Sequence, residues 1–396
     1  YVVAIDLGTS RTAYAWKSIV DPTPFVGVPD SRDGDPTAKS PTAVLVNGSR
    51  DPYTKKFAAE KIVAFGEAAE EHFAERRFPQ AQFFKHFKMY SFDDMLRHPA
   101  KSVSSAAEVL LEDLLTLTLR YIKDVRAVLA KLSSLSGVKA VTVNDVVWVL
   151  TVPVCCTAAA SEFMKFCARA AGFVENGNDH GKSLVVCEEP IAACLALGPS
   201  LQWNLGEKYL VIDCGGGTVD ISAFRVAHAQ EGKLEQLGTC GGGKFGAKNI
   251  DEKFEKFVQN MIFSVVGNLG EHSKAAFESS TALWEIKQNW EQSKIRLADV
   301  HHDCRVNLFR LSGPPLNLSL QALDDARDRM NRNGTELVGG QGGWELAIRP
   351  PLMRKFFAGD CNRIKTAVKT VLSQPELAGL TAVVLVGGFS GSVHVR

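Results

Sequence analysis

The chain carries almost no net charge, no paired-cysteine motif and no long apolar run, and each shortage closes off a class of protein. Its 45 basic residues face 44 acidic ones for a formal balance of +1, so no global field draws it to nucleic acid or to an anionic membrane. Affinity for a charged ligand has to be local. Nine cysteines at irregular spacings, none in a CxxC pair, argue against a disulfide framework and a structural zinc site. A reducing, cytoplasmic compartment fits this usage. The adjacent Cys155 and Cys156 read as small buried hydrophobes. No apolar run approaches the ~18 residues that span a bilayer, and the first residues do not resemble a secretory signal. The Asn-x-Ser/Thr triplets at Asn47, Asn317 and Asn333 then read as coincidental. Tyr1 falls inside a strand pattern and Arg396 comes just after a glycine turn, so the sequence reads as cut at both ends.

What is present is enough for more than one core: 396 residues, of which 45% are hydrophobic, predict two lobes. Asp21 to Pro41 is rich in Pro, Asp and Gly and reads as a surface connection. Apolar residues from Val109 to Leu132 recur at helical spacing and predict one long helix over Ser104 to Leu135. Val146 to Val152, closed by Pro153, reads as a buried parallel strand, Ala158 to Gly172 as a helix and Leu184 to Cys187 as another strand. Further along, Asn249 to Val265 predicts an amphipathic helix capped by Asn249, and Ala282 to Leu297 a second carrying Trp284 and Trp290. Asn331 to Gly343 reads as a loop, Pro351 to Leu372 as a helix and Ala382 to Val386 as a last buried strand. Strands alternating with helices on both faces give an α/β protein with covered mixed sheets.

Two segments about two hundred residues apart repeat one device: an apolar strand, an aspartate, a glycine turn and a second apolar strand. The first runs from Val2 through Asp6-Leu7-Gly8-Thr9-Ser10 to Trp16. The second runs from Tyr209 through Asp213-Cys214-Gly215-Gly216-Gly217-Thr218 to Phe224. Glycine lets such a turn approach a ligand closely, offering N–H groups to phosphate oxygens while the aspartate faces a bound cation. Asp213 is then the candidate to organise Mg²⁺ and an attacking water, with Asp6 as its mirror. Thr9, Ser10 and Thr218 carry hydroxyls for phosphate oxygens, or simply stabilise their turns. Glu189, where a strand passes into a Pro-started helix, either meets the metal's water shell or caps that helix. Gly238 to Phe245 nearly spells a P-loop, but Lys244 is followed by Phe245 rather than a hydroxyl. Gly246 remains as a point where the Asn249 helix could approach a phosphate with its N–H groups.

These residues resemble the actin-like ATPase superfamily, and within it the nucleotide-binding domain of the 70-kDa heat-shock chaperones. Ala4 to Ser10 is similar to that family's first phosphate loop, Gly66-Glu67-Ala68-Ala69 to its GDAA, and Thr151-Val152-Pro153 to its TVP. Glu189-Pro190 is similar to its NEP, Asp213 to Asp220 to its second phosphate loop, and Val384 to Gly388 to the opening of its adenosine loop. The text around these landmarks most resembles the divergent heat-shock 70-kDa protein 12 branch. The resemblance implies an actin-like, ribonuclease H-like fold with two lobes around a central nucleotide cleft. It implies lobe I over 1–200, with a core of 1–30 and 146–200 and an inserted subdomain over 31–145. Lobe II would span 201–396, with a core of 201–240 and 345–396 and an inserted subdomain over 241–344. The end of the ATPase domain and any substrate domain would lie beyond the sequence.

By the same resemblance, Asp6 and Asp213 serve Mg²⁺ mainly through its waters, Glu189 belongs to that network, and Gly8, Gly215, Gly216, Gly217 and Thr218 serve the phosphates, with Asp220 helping to orient them. The lysine near the γ-phosphate falls on Lys85 by counting back from Phe92-Asp93-Asp94, with Lys88 close enough to compete. Glu291 and Lys294 align with adenosine contacts, though their i, i+3 spacing is equally that of a surface ion pair. Gly387 and Gly388 would approach the nucleoside. Gly391 stands where the family places an adenine-stacking Arg, which leaves Phe389 as a substitute. The expected ligands are ATP or ADP with Mg²⁺, and the expected activity is slow ATP hydrolysis driving a conformational switch. Protein partners would act through regions outside the sequence, and no nucleic-acid or membrane-spanning role is expected. The alternatives are a sugar-type kinase of the same superfamily, whose base loop is not visible, and a nucleotide-binding pseudoenzyme or scaffold.

Overall fold

The computed structural model describes residues 1–19, 25–27, 39–50, 57–88, 100–103, 107–124, 129, 132–133, 141–154, 158–175, 183–201, 203–228, 232–266, 277, 280–296, 301–308, 335–340 and 343–396. It is a mixed α/β protein that divides into two compact units. One comprises Tyr1–Val211, Asp220–Cys240 and Gly379–Val383; the other comprises Ile212–Val219, Gly241–Ala378 and Val384–Arg396.

The first unit opens with β1 (Val2–Leu7) and β2 (Arg11–Lys17), followed by β3 (Phe25–Gly27), β4 (Ser40–Pro41), β5 (Ala43–Arg50), β6 (Phe57–Phe65), α1 (Gly66–Ala74) and β7 (Gln82–Lys85). Then come β8 (Ala100–Lys101), β9 (Glu108–Val109), α2 (Leu111–Asp124), β10 (Val147–Val152), α3 (Ala158–Ala170), β11 (Leu184–Glu188) and α4 (Glu189–Leu201). A six-stranded sheet has the order β11-β10-β1-β2-β3, with β4 also paired to β2. β1 runs parallel to β10 and β10 parallel to β11, whereas β1 and β2 are antiparallel. Along β1 and from Val147 to Leu150 of β10, buried residues alternate with half-buried or exposed ones, so one face of each strand is fully covered. Val3, Ile5, Trp148 and Leu150 are fully buried there, each worth roughly 1.5–3 kcal/mol of hydrophobic transfer. A second sheet, β6-β5-β7, sits in the same unit. On α2, Leu111, Leu114, Leu115, Thr118, Leu119 and Ile122 are buried, an i, i+3, i+4 stripe that packs one face. Lys123 ends that stripe by donating from Nζ to the carbonyls of Ala171 (2.8 Å) and Gly172 (3.0 Å), satisfying acceptors just past the end of α3.

Next in the chain are β12 (Lys208–Cys214), β13 (Val219–His228) and β14 (Lys233–Gly243), then α5 (Ala247–Val266), α6 (Thr281–Arg296), β15 (Cys304–Asn307), β16 (Thr335–Gly340), β17 (Gly343–Ile348), α7 (Pro350–Leu372) and β18 (Ala382–Val386). One four-stranded sheet has the order β14-β13-β12-β18 and a three-stranded one the order β15-β17-β16. The second unit's core is aromatic. Phe254 of α5 stacks on Trp290 of α6 at 4.1 Å, and Phe356 of α7 meets Trp290 edge-on at 6.0 Å.

Several expectations need correction. The 104–135 helix is shorter at its start, because Val109 pairs in β9 with Ala100 of β8 and helix begins only at Leu111. Asn249 is not a cap: helix is already formed at Ala247, and the Asn249 amide donates to Lys244 O and to Asp360 Oδ1. The Gly-rich stretch read as a loop over 331–343 is largely β16, whose Thr335 to Gly340 pair with β17 down to Gly343. Within 21–41, Phe25–Gly27 and Ser40–Pro41 are strands. The remainder of that connection up to residue 38, together with Cys155, Cys156, Phe92, Asp93, Asp94, Asn317 and Asn333, lies outside the described residues.

Candidate functional site

In the first unit, three neighbouring parallel strands carry polar groups to the same edge. Asp6 ends β1, Thr151 lies near the end of β10, and Glu188 ends β11 with Glu189 opening α4; the register aligns Thr151 with Cys187 and Val152 with Glu188. The carboxyl edge of parallel strands is where α/β sheets bind ligands, because the chain leaves the sheet there and exposes strand ends and helix N-termini. Directly after Asp6 the chain reverses tightly. Gly8 donates its N–H to Arg11 O at 3.0 Å, and a Cβ on Gly8 would lie 2.4 Å from that oxygen. Thr42 braces the turn, donating its hydroxyl to Gly8 O (2.7 Å) and its N–H to Ser10 O (2.9 Å). The carbonyl of Thr9 accepts from His86 Nδ1 at 3.2 Å. Thr9 and Ser10 are themselves half-buried on this turn.

Cations hold the carboxylates in place. Thr151 Oγ1 donates to Asp6 Oδ1 at 3.0 Å, and Lys39 Nζ to Asp6 Oδ2 at 2.6 Å. Burial pushes the Asp6 pKa up, but Lys39, Lys88 and the hydrogen bonds outweigh it and leave Asp6 below the ordinary carboxylate value. Glu189 ends on the other side: burial dominates, and despite Lys88 its pKa is raised, with Asp6 and Asp220 adding to the upward push. Glu188 is raised too, by burial and then by Asp220. Its Oε2 is buried with no hydrogen-bond partner among the described residues. Asp220, fully buried on β13, thus acts on both Glu188 and Glu189, and one buried lysine offsets the charge at Glu189.

That lysine is Lys88. Its Nζ lies 2.8 Å from Glu189 Oε1 with the side chain only 1% exposed, whereas Lys85 pairs with Glu70 of α1 at 2.8 Å. Of the two lysines weighed, Lys88 rather than Lys85 therefore lies beside Glu189.

In the second unit the loop after Asp213 repeats the first turn's geometry. Gly215 donates its N–H to Thr218 O at 2.9 Å, as Gly8 does to Arg11, and each glycine stands two residues after its aspartate. The loop rests on the start of α5. The N–H groups of Gly246, Ala247 and Lys248 donate to the carbonyls of Gly217 (3.2 Å), Gly215 (3.2 Å) and Gly216 (2.8 Å). The expected role of Gly246 is therefore corrected: its N–H and the next two hold the glycine loop instead of being open to a phosphate. Glycine is needed at 246 because a Cβ would lie 2.7 Å from Gly216 O and Gly217 C. Gly387, at φ +85°, presses on the same strand end, where a Cβ would lie 2.3 Å from Asp213 Oδ1 and 2.4 Å from Cys214 O. Gly388 and Gly391 face open space at the Cβ position. Thr218 is buried, and Gly216 is half-buried on the loop.

Two further expectations change. Lys294 is buried and ion-paired with Asp251, which also accepts from Trp290 Nε1 at 2.7 Å, so Lys294 anchors α6 to α5 rather than serving as an open adenosine contact or a surface partner of Glu291. Glu291 contributes to the upward shift of Asp251, whose main cause is burial. Phe389 is 6% exposed and stacks on Phe357 at 6.1 Å, which makes it core rather than a platform for a base. Sequence reasoning missed Lys39, Thr42 and Glu188. Only Glu188 had a signal, as the acid beside Glu189 at the strand end.

Among the described residues no three His, Cys, Asp or Glu side chains converge as a metal cage. Asp6 nevertheless fits a Mg²⁺ ion held the way that ion prefers, by one or two carboxylates, several waters and phosphate oxygens.

A family model described as Hsp70 protein matches residues 126–314. The chain is 25% identical to heat shock 70 kDa protein 12B of Homo sapiens over its whole length and 23% identical to heat shock 70 kDa protein 12A of the same species over 98% of it. It spans 63% of the length of each of these curated relatives. A chaperone protein DnaK of Mycoplasmopsis synoviae (strain 53) is 32% identical over 38% of this chain and 22% of that protein.

Proposed function

We propose that this chain, which is similar to Hsp70-family proteins, is an ATP-binding, slowly hydrolysing molecular switch in which Asp6 and Asp213 act on one magnesium-bound triphosphate. The observation that carries the reading is the repeated turn. An aspartate ends a strand, and two residues later a glycine N–H closes onto the carbonyl three residues on, at 3.0 Å in one unit and 2.9 Å in the other. Gly8, Thr9 and Ser10 in the first unit and Gly215, Gly216, Gly217 and Thr218 in the second are the phosphate contacts of this reading. Bound Mg²⁺ would neutralise phosphate charge and order water for in-line attack. Asp6 and Asp213 would hold its water shell, Asp213 would also orient the attacking water, and Lys88 with Glu189 keeps a compensated charge beside Asp6. Gly387 and Gly388 line the nucleoside side. Cysteine usage suits the cytoplasm, and protein partners are met through regions of the relatives' length that this chain does not span. The burial of Phe389 and the engagement of Lys294 favour one variation, a nucleotide-binding scaffold with little preference for adenine.

Asp213→Asn should lower single-turnover ATP hydrolysis at least about 100-fold, the usual range for a group that manages the reacting proton, a larger factor than its loss of Mg·ATP affinity. Unchanged hydrolysis in a folded variant would remove Asp213 from the chemistry.

A further inference from the structure

Lys39 lies on a segment whose composition suggested only a surface connection, yet its backbone is fixed at the rim of the first glycine turn. Its carbonyl accepts from Arg11 Nη1 at 3.0 Å. The next two residues form β4, with Ser40 opposite Thr12 and Pro41 opposite Arg11. Thr42 then ties this segment to Gly8 and Ser10. This anchoring holds the Lys39 ammonium 2.6 Å from Asp6 Oδ2, with Lys39 half exposed and Asp6 one-third exposed. Thr151 occupies the other carboxylate oxygen.

We propose that Lys39 is a resident cation at Asp6 with which a nucleotide-borne divalent cation competes, a positioning residue that sets how tightly the metal–nucleotide complex is held. The inference rests on the reading of Asp6 given above. A hydrated divalent ion reaches Asp6 through water molecules that donate to its oxygens, and Oδ2 already accepts from an ammonium. Two cations at one carboxylate repel, so metal binding has to loosen the Lys39 contact. Thr151 does not compete, because it bonds the opposite oxygen and keeps the carboxylate oriented while Lys39 moves away. The anchored backbone limits that motion to the side chain, so Lys39 returns once the ion leaves.

The test is Mn²⁺ affinity measured by paramagnetic resonance on the full chain at saturating ADP, together with ADP affinity in EDTA. Lys39→Met should bind Mn²⁺ about two- to five-fold more tightly, the size of a half-exposed ion pair, with metal-free ADP affinity unchanged. Lys39→Arg should restore wild-type values. Unchanged or weaker Mn²⁺ affinity in Lys39→Met would overturn the proposal. A drop in metal-free ADP affinity would also overturn it, by making Lys39 a phosphate ligand. Asp6→Asn separates the underlying reading. If that variant keeps full Mn²⁺ affinity, or if the wild-type chain binds no ADP, the assignment of Asp6 fails and the proposal falls with it.

Discussion

Replacing Lys88 with methionine removes the buried cation paired with Glu189 without emptying the space. Lys88 is 1% exposed and Glu189 20%, and they meet at 2.8 Å, so solvent screens this pair little. Deleting one partner of such a pair costs ~3–5 kcal/mol, because the other charge is left buried and unpaired. Glu189 can take up a proton, which puts the expected loss near the lower end, about 3 kcal/mol at pH 7.5. The pH dependence is the sharper part. Burial, with Asp6 and Asp220, already raises the Glu189 pKa against the pull of Lys88, and losing Lys88 raises it further. A carboxyl group whose folded-state pKa is raised stabilises the fold below its unfolded value, and that stability is lost as pH climbs through the folded value. The variant should therefore be closer to wild type at pH 5 than at pH 7.5. Urea unfolding at both pH values, read through tryptophan fluorescence, measures this. Adding Glu189→Gln should recover at least about 1 kcal/mol at pH 7.5, since the neighbours are coupled. A loss below ~1 kcal/mol with no pH dependence, or a double variant equal to the sum of the singles, would refute the reasoning.

Other consequences follow from the same geometry. Gly387→Ala forces a side chain into positive φ and against Asp213 Oδ1 and Cys214 O, and should cost about 1–3 kcal/mol; a thermal midpoint equal to wild type would show that the loop yields freely. Lys294→Met should destabilise by about 1–3 kcal/mol through the stranded, half-buried Asp251 carboxylate, with urea midpoints as the check. Were Lys294→Met instead to leave stability intact and weaken only nucleotide binding, its place as an anchor between α5 and α6 would be wrong.

Much of the fold was legible because periodicity carries it. The apolar strands β1 and β10 and the helical periodicity of α2 read directly from spacing, though the buried face of α2 did not, since Leu110 is exposed and Leu111, Leu114, Leu115 and Leu119 are the buried positions. The errors came where tertiary pairing overrode local preference. Glycines of 335–340 suggested a loop, but pairing with β17 makes that segment a strand. Asn249 looked like a cap, but α5 takes its first acceptors from the loop after Asp213, a contact no local sequence announces. The turns at Asp6 and Asp213 were visible because aspartate and glycine at that spacing have a strong conformational reason to occur together. Lys39 and Lys88 were harder, since a lysine's role depends on which carboxylate the fold brings to its ammonium. Phe389 was misjudged for the same reason: an aromatic after a glycine turn suits a base or a core equally until Phe357 is placed beneath it.

The central claim is that both glycine turns serve one magnesium-bound polyphosphate, and thermal unfolding titrated with ATP in Mg²⁺ and in EDTA tests it most directly. Binding to the folded state alone adds about 2.7 kcal/mol of stability at a ligand concentration one hundred times Kd. The account predicts an upward shift with Mg·ATP that shrinks in EDTA, and a loss of that magnesium-dependent part in both Asp6→Asn and Asp213→Asn. A magnesium-dependent shift that survives either substitution, or no shift at any ATP concentration, would contradict it.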